Sequence, residues 1–133
     1  MLDINKALKL IQENKKVALV GMSAKTDRPS NRVGRFLMDK GFEVIPVNPG
    51  LQEIDGLKCR KSLADLKSEE IDWIDIFLRP DRLEALLPEI LRLSPKLVWC
   101  QIGVVNESFN QQLNAAKIPY IADLCPKMEW PND

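Results

Sequence analysis

Val17-Ala18-Leu19-Val20-Gly21-Met22-Ser23 is an apolar run ending in glycine and serine, followed by a polar loop and the helical run Arg32–Lys40. A strand that turns through such a loop into a helix N-terminus is how α/β proteins hold phosphates. Glycine lets the backbone approach the anion, the hydroxyl donates to it, and unpaired N–H groups of the helix point at it. The full dinucleotide pattern is absent. The glycines of G-x-G-x-x-G would fall at 21, 23 and 26, where this chain has Gly21, Ser23 and Thr26. The stretch predicts a nucleotide-shaped pocket that is not an ordinary NAD site.

Composition narrows the surroundings of that pocket. A chain of 133 residues predicts one domain, over 1–133, with one sizeable core. A formal net charge of zero provides no global field for nucleic acid or an anionic membrane, so neither is expected as a partner, and no protein partner is indicated. No apolar run approaches the roughly 20 residues of a membrane span, and Met1–Lys16 is too charged for a signal peptide. Three cysteines without C-x-x-C spacing argue against a disulfide framework or a zinc site and for reduced thiols in a cytoplasm. The chain has no histidine, which excludes His-based triads, His–metal sites and phosphohistidine chemistry.

Helix and strand patterns alternate. Asp3 is placed to cap a helix with Ile4, Ala7, Leu8 and Ile11 on one face, ending near Asn14. The first strand is Lys16–Gly21, and Ser30 or Asn31 starts a helix that turns Val33, Phe36 and Leu37 inward and stops at Gly41. The second strand, Glu43–Val47, ends at Asn48-Pro49, and Gly50–Arg60 reads as a loop turning at Asp55-Gly56. Ser62 caps a short helix, Leu63–Leu66. A third strand, Ile71–Leu78, leads through Arg79-Pro80-Asp81 to a helix that Pro88 kinks or divides. Leu97–Gln101 and Tyr120–Asp123 complete the strands, with Asn106 capping helix Glu107–Ala116 between them and a polar tail after Cys125-Pro126. The pattern predicts a Rossmann-like, doubly wound, five-stranded parallel sheet in the order 3-2-1-4-5.

Ligands of open α/β sheets bind beyond the carboxyl ends of the strands, where strand order reverses. An NAD site wants an acid at the end of strand two, and this chain has Asn48-Pro49-Gly50; a receiver domain wants Asp where Gly21 stands. Taken together, Val20-Gly21-Met22-Ser23 with Arg28-Pro29-Ser30, and Ile45-Pro46-Val47-Asn48-Pro49, resemble the stand-alone coenzyme A (CoA)-binding-domain proteins. Asp75-Ile76-Phe77-Leu78-Arg79, the run from Val98 to Asn106, and Asp123-Leu124-Cys125-Pro126-Lys127 continue the resemblance in order, over roughly Lys15 to Glu129. The family is similar to the nucleotide-binding domain of the succinyl-CoA ligase alpha subunit. The resemblance implies a Rossmann-like fold that holds CoA or an acyl-CoA at the strand ends.

The same resemblance implies roles. Gly21, Met22 and Ser23 match the loop that approaches the phosphates and adenosine, with Lys25, Arg28 and Ser30 on that loop as candidate phosphate partners. Asn48 and Pro49 match the turn beside adenine and ribose. Phe77, Leu78 and Arg79, with Ile102, Gly103 and Val104, match the groove walls and the start of the pantetheine path; Cys125 and Pro126 match the closing loop. Family members often carry Lys directly after the Asn-Pro pair, and here that residue is Gly50. Plain readings stand beside these: Arg79 can pair with Asp81, Trp99 and Phe77 can be core, and Cys100 and Cys125 can be small buried hydrophobes. Asp75 and Asp123 are candidate carboxylates, but no second group of known chemistry can be placed beside either. Binding without catalysis is the function expected. The alternatives are an NAD(P)- or other nucleotide-dependent enzyme, and an interaction module whose nucleotide site has decayed.

Overall fold

The computed structural model describes residues 1–131. In it Asp3 accepts a hydrogen bond from the Lys6 N–H at 3.1 Å and starts α1 (Ile4–Gln12), which buries Ala7, Leu8 and Ile11. β1 (Lys16–Val20) leads into α2 (Pro29–Asp39). This helix begins earlier than the polar residues suggested. Pro29 supplies the preset first turn, Arg28 occupies the cap position without a side-chain bond, and Ser30 and Asn31 are buried inside the helix. β2 (Glu43–Val47) follows, as expected.

The segment read as a loop forms a hairpin, β3 (Glu53–Ile54) against β4 (Leu57–Lys58). Its turn is at the expected Asp55-Gly56, both with positive φ, 51° and 81°. That is the twist a two-residue hairpin turn needs. β5 (Trp73–Ile76) is followed by two 3-10 turns and then α3 (Leu87–Leu93), with Pro88 in its first turn, so the proline divides the segment rather than bending one helix. β6 (Leu97–Cys100), α4 (Glu107–Ala115), β7 (Tyr120–Ile121) and α5 (Pro126–Glu129) complete the fold. Asn106 caps α4 as expected, accepting from the Phe109 N–H at 3.0 Å.

The main sheet is parallel and five-stranded, but its order is β2-β1-β5-β6-β7. The expected order, with the third long strand outside the second, is incorrect. β5 inserts between β1 and β6, and the reversal point lies between β1 and β5. Pro46 gives the physical reason. Proline has no N–H for a ladder, so its strand belongs at an edge. The Pro46 carbonyl faces outward and accepts from the Arg60 N–H at 2.9 Å; its nitrogen faces the same way, so no bond to β1 is lost.

Alternate residues of each strand feed two separate cores. Val17, Leu19, Trp73, Leu97, Trp99 and Ile121 pack under α1 and α2. Ala18, Val20, Ile74, Ile76, Val98 and Cys100 pack under α3 and α4. The chain after β7 is not a polar tail. α5 brings Trp130 edge-on to Phe36, with ring centroids 5.4 Å apart, and to Phe42 at 5.9 Å. The Trp99 indole N–H donates to the Leu124 carbonyl at 2.8 Å and pins the turn before it. Among the described residues no helix is long and apolar enough to cross a membrane.

Candidate functional site

Gly21 closes the sheet at the reversal point. Its N–H donates to the Val47 carbonyl at 3.0 Å, and the Phe77 N–H donates to the Val20 carbonyl at 2.9 Å. Its φ is +86°, and a Cβ there would run into the Phe77 carbonyl oxygen, so the position excludes a side chain on two grounds. Met22 turns inward and is fully buried; only its backbone remains at the loop. Gly34 makes this possible, because a Cβ on that turn of α2 would strike the Met22 side-chain methyl.

The loop from Ser23 to Ser30 is tied to the first turn of α2. The Ser23 N–H donates to Ser30 Oγ at 2.9 Å, and Ser23 Oγ accepts from the Lys25 N–H at 3.1 Å, which leaves the Ser23 proton free to donate outward. Asn31, fully buried, donates to the Ser23 carbonyl at 2.8 Å and to the Asp55 carboxylate at 3.0 Å, and accepts from Arg35 Nε at 2.8 Å. Sequence reasoning saw Asn31 only as a possible helix start. Its role depends on the β3–β4 turn bringing Asp55 to it from 24 residues away.

Three clefts run along this end of the sheet. The loop cleft, about 300 Å³, is lined by Gly21, Ser23, Lys25, Arg28, Pro29, Ser30 and Phe77. Lys25 and Arg28 are exposed there. The edge cleft, about 420 Å³, lies between Val20, Gly21, Val47, Asn48 and Pro49 on one side and Leu78, Asp81, Arg82 and Leu86 on the other, with Lys61 at its margin. The Asn48 side chain fixes its wall, donating to the Met22 carbonyl at 3.0 Å and accepting from the Gly50 N–H at 2.8 Å. The apolar cleft, about 640 Å³, is bounded by Pro29, Arg32 and Val33 of α2, by Phe77, Gln101 and Ile102, and by Cys125, Lys127 and Met128. Gly21 is shared by the first two clefts, and Pro29 and Phe77 by the first and third, so the three form one groove.

The sequence candidates are not all brought to that groove. Arg79 points at Asp81, 3.1 Å away, with both side chains exposed and Arg79 lining none of the three clefts. Val104 is in the core with its side chain under α4, and Gly103, exposed, donates its N–H to Asp123 at 2.8 Å. Pro126 is buried as the first residue of α5. Trp99 is core, and Phe77 is a groove wall. Cys100 is fully buried, its thiol pushed up to about 12 by burial and by the Asp75 charge, whereas Cys125 lines the apolar cleft. Arg32, Lys61 and Arg82 line the groove but were not singled out, and Gln101, expected at a strand end within the run from Val98 to Asn106, had no role assigned. Folding alone brings Lys61 and Arg82 there, from segments far from the glycine loop.

Asp75 does have a neighbour. It is fully buried in β5, and the Gln101 amide Nε2 donates to its Oδ1 at 2.5 Å. Burial raises its carboxyl to about 7 against the lowering effect of the Gln101 and Ile76 hydrogen bonds.

Comparison with known proteins gives the chain a family and solved structures of the same fold. Residues 15–131 match the family model described as a CoA binding domain. The chain is 36% identical over 119 residues to the uncharacterised protein YneT of Bacillus subtilis (strain 168), covering 90% of this chain and 87% of that protein. A 62-residue stretch is 34% identical to the ADP-forming acetate–CoA ligase of Methanocaldococcus jannaschii, covering 47% of this chain and only 9% of the ligase. The solved structure of cell-free ID.343 from Thermus thermophilus superposes with a TM-score of 0.89 at 37% identity, covering 96% of each chain.

Proposed function

This chain belongs to the CoA-binding domain family, and from that premise we propose that it binds CoA or an acyl-CoA along the three-part groove at the carboxyl ends of its strands. The observation that carries the reading is the order of surfaces: a cationic loop cleft sits between two less polar clefts and shares residues with both. CoA has the same order of parts. A nucleoside carrying a 3′-phosphate is joined through a diphosphate to a long arm with two amides and a terminal thiol.

In this reading the diphosphate lies over Gly21–Ser30, where Ser23 donates and Lys25 and Arg28 supply charge. The nucleoside occupies the edge cleft against Asn48, Pro49 and Leu78. Gly50 removes the cation that family members often carry there, and Lys61 and Arg82 stand at the same cleft to take its place beside the 3′-phosphate. The arm runs past Phe77 and Ile102 into the apolar cleft toward Cys125.

Calorimetric titration with CoA, NAD and NADP tests the reading. CoA is expected to bind at least ~10-fold more tightly than either dinucleotide, about 1.4 kcal/mol, because β2 is followed by Asn48 without the acid that holds a ribose diol. Tighter binding of NAD would overturn it.

A further inference from the structure

Gln101 is the buried polar side chain in the wall of the apolar cleft, where Arg32 and Lys127 are exposed. It is 2% exposed and sits at the end of β6, and among the described residues the one hydrogen bond of its side chain is the donation to Asp75. The neighbouring Asp75 Oδ2 is sealed off without a partner, whereas Gln101 Oε1 is neither sealed nor bonded. An amide oxygen in an apolar wall costs free energy unless something donates to it.

The Asp75 carboxylate also decides which way the amide faces. An ionised carboxylate only accepts, so Gln101 must turn its nitrogen inward and its oxygen toward the cleft. Leu19 and Trp99, the sheet neighbours of Asp75, are both fully buried and leave the carboxyl no room to turn away.

We propose that Gln101, oriented by Asp75, accepts a hydrogen bond from an amide N–H of a ligand arm lying in the apolar cleft. The site selects an extended, mostly apolar chain that carries a secondary amide; a plain acyl chain would leave Gln101 Oε1 unpaired. The inference rests on the CoA reading above and adds Gln101 as a binding residue and Asp75 as a positioning residue.

The test is titration of the wild type, Gln101→Leu and Asp75→Asn with CoA and with adenosine 3′,5′-bisphosphate, which lacks the arm. Measurements at pH 8 keep the Asp75 carboxyl ionised. Gln101→Leu keeps the apolar contact and removes the acceptor, so CoA is expected to bind about 10-fold more weakly while the bisphosphate is unaffected. Asp75→Asn is expected to shift binding in the same direction for CoA alone, because an asparagine can donate to Oε1 and turn the amide nitrogen outward. Unchanged CoA affinity in folded Gln101→Leu, or an equal loss for both ligands, would overturn the inference. If the wild type binds neither ligand, the reading of the whole groove falls first.

Discussion

The loop cleft and the apolar cleft adjoin at Phe77, yet they are built in opposite ways. Apart from Phe77, the loop cleft comes from one continuous stretch, Gly21–Ser30, whose hydrogen bonds mostly close within eight residues. The apolar cleft is assembled from α2, the ends of β5 and β6, and α5, and its buried amide, Gln101, is held by a residue 26 positions away. A local cleft is governed by turn chemistry and responds to backbone changes. An assembled cleft is governed by burial and responds to anything that alters a buried charge.

Gly21→Val strikes where the loop cleft meets the edge cleft, against Phe77, and is expected to have the largest effect. The side chain requires a positive φ and collides with the Phe77 carbonyl, so unfolding free energy should fall by about 1–3 kcal/mol or more. CoA binding should weaken by at least ~100-fold, about 2.7 kcal/mol. Denaturant melts and calorimetry report both; retained affinity would mean that the ligand avoids the reversal point.

The assembled cleft should carry a pH signature that the loop lacks. The Asp75 carboxyl stands at about 7 in the folded protein against an ordinary 3.8. Between those values the folded state keeps a proton that the unfolded chain has released. Stability is therefore full at low pH and is lost as pH rises through the window. Cys100, the titratable group against Asp75, is pushed up to about 12 and stays neutral throughout. Asp75→Asn has no such proton. The stability of wild type relative to this variant should drop by about 2–3 kcal/mol between pH 5 and pH 8. Parallel pH profiles would show that the carboxyl is ionised at both ends and that water reaches it.

Ser23→Leu tests the loop alone. The hydroxyl is lost and the bulk blocks the backbone approach, so CoA should bind at least ~10-fold more weakly, about 1.4 kcal/mol, with the fold retained at this surface position. Wild-type affinity in the folded variant would move the diphosphate off the loop.

The smallest effect belongs to the exposed cations. Lys25→Ala with Arg28→Ala should cost about 0.5–2 kcal/mol in CoA binding at low salt, and less at 0.5 M salt, since exposed charges are well screened. Dephospho-CoA should show the same loss in this variant if Lys61 and Arg82 hold the 3′-phosphate. A smaller loss for dephospho-CoA would return that phosphate to the loop.

Much of the molecule was legible before folding, and the reasons are local. Asp3 and Asn106 cap their helices because an oxygen acceptor three residues before an N–H needs no tertiary partner. Asp55-Gly56 turns because its positive φ values are a property of two residues. Gly21 announced a close backbone approach, which is the only way its sequence context makes sense. Pro46 also carried a readable signal, since a proline strand belongs at an edge, and this signal excludes the order 3-2-1-4-5.

Tertiary structure decided the rest. Nothing near Ser30 or Asn31 reveals that they are buried partners of Ser23 and Asp55, because hydrogen bonding depends on which segments arrive. Trp130 looked like part of a polar tail until Phe36 and Phe42 gave it a surface to pack on. Lys61 and Arg82 became groove residues only when distant segments converged. The sequence determined the strand–loop–helix that can hold a phosphate, because backbone geometry and capping are short-range. The apolar cleft, and the buried aspartate beneath it, required the packed sheet, because desolvation exists only once every neighbour is in place.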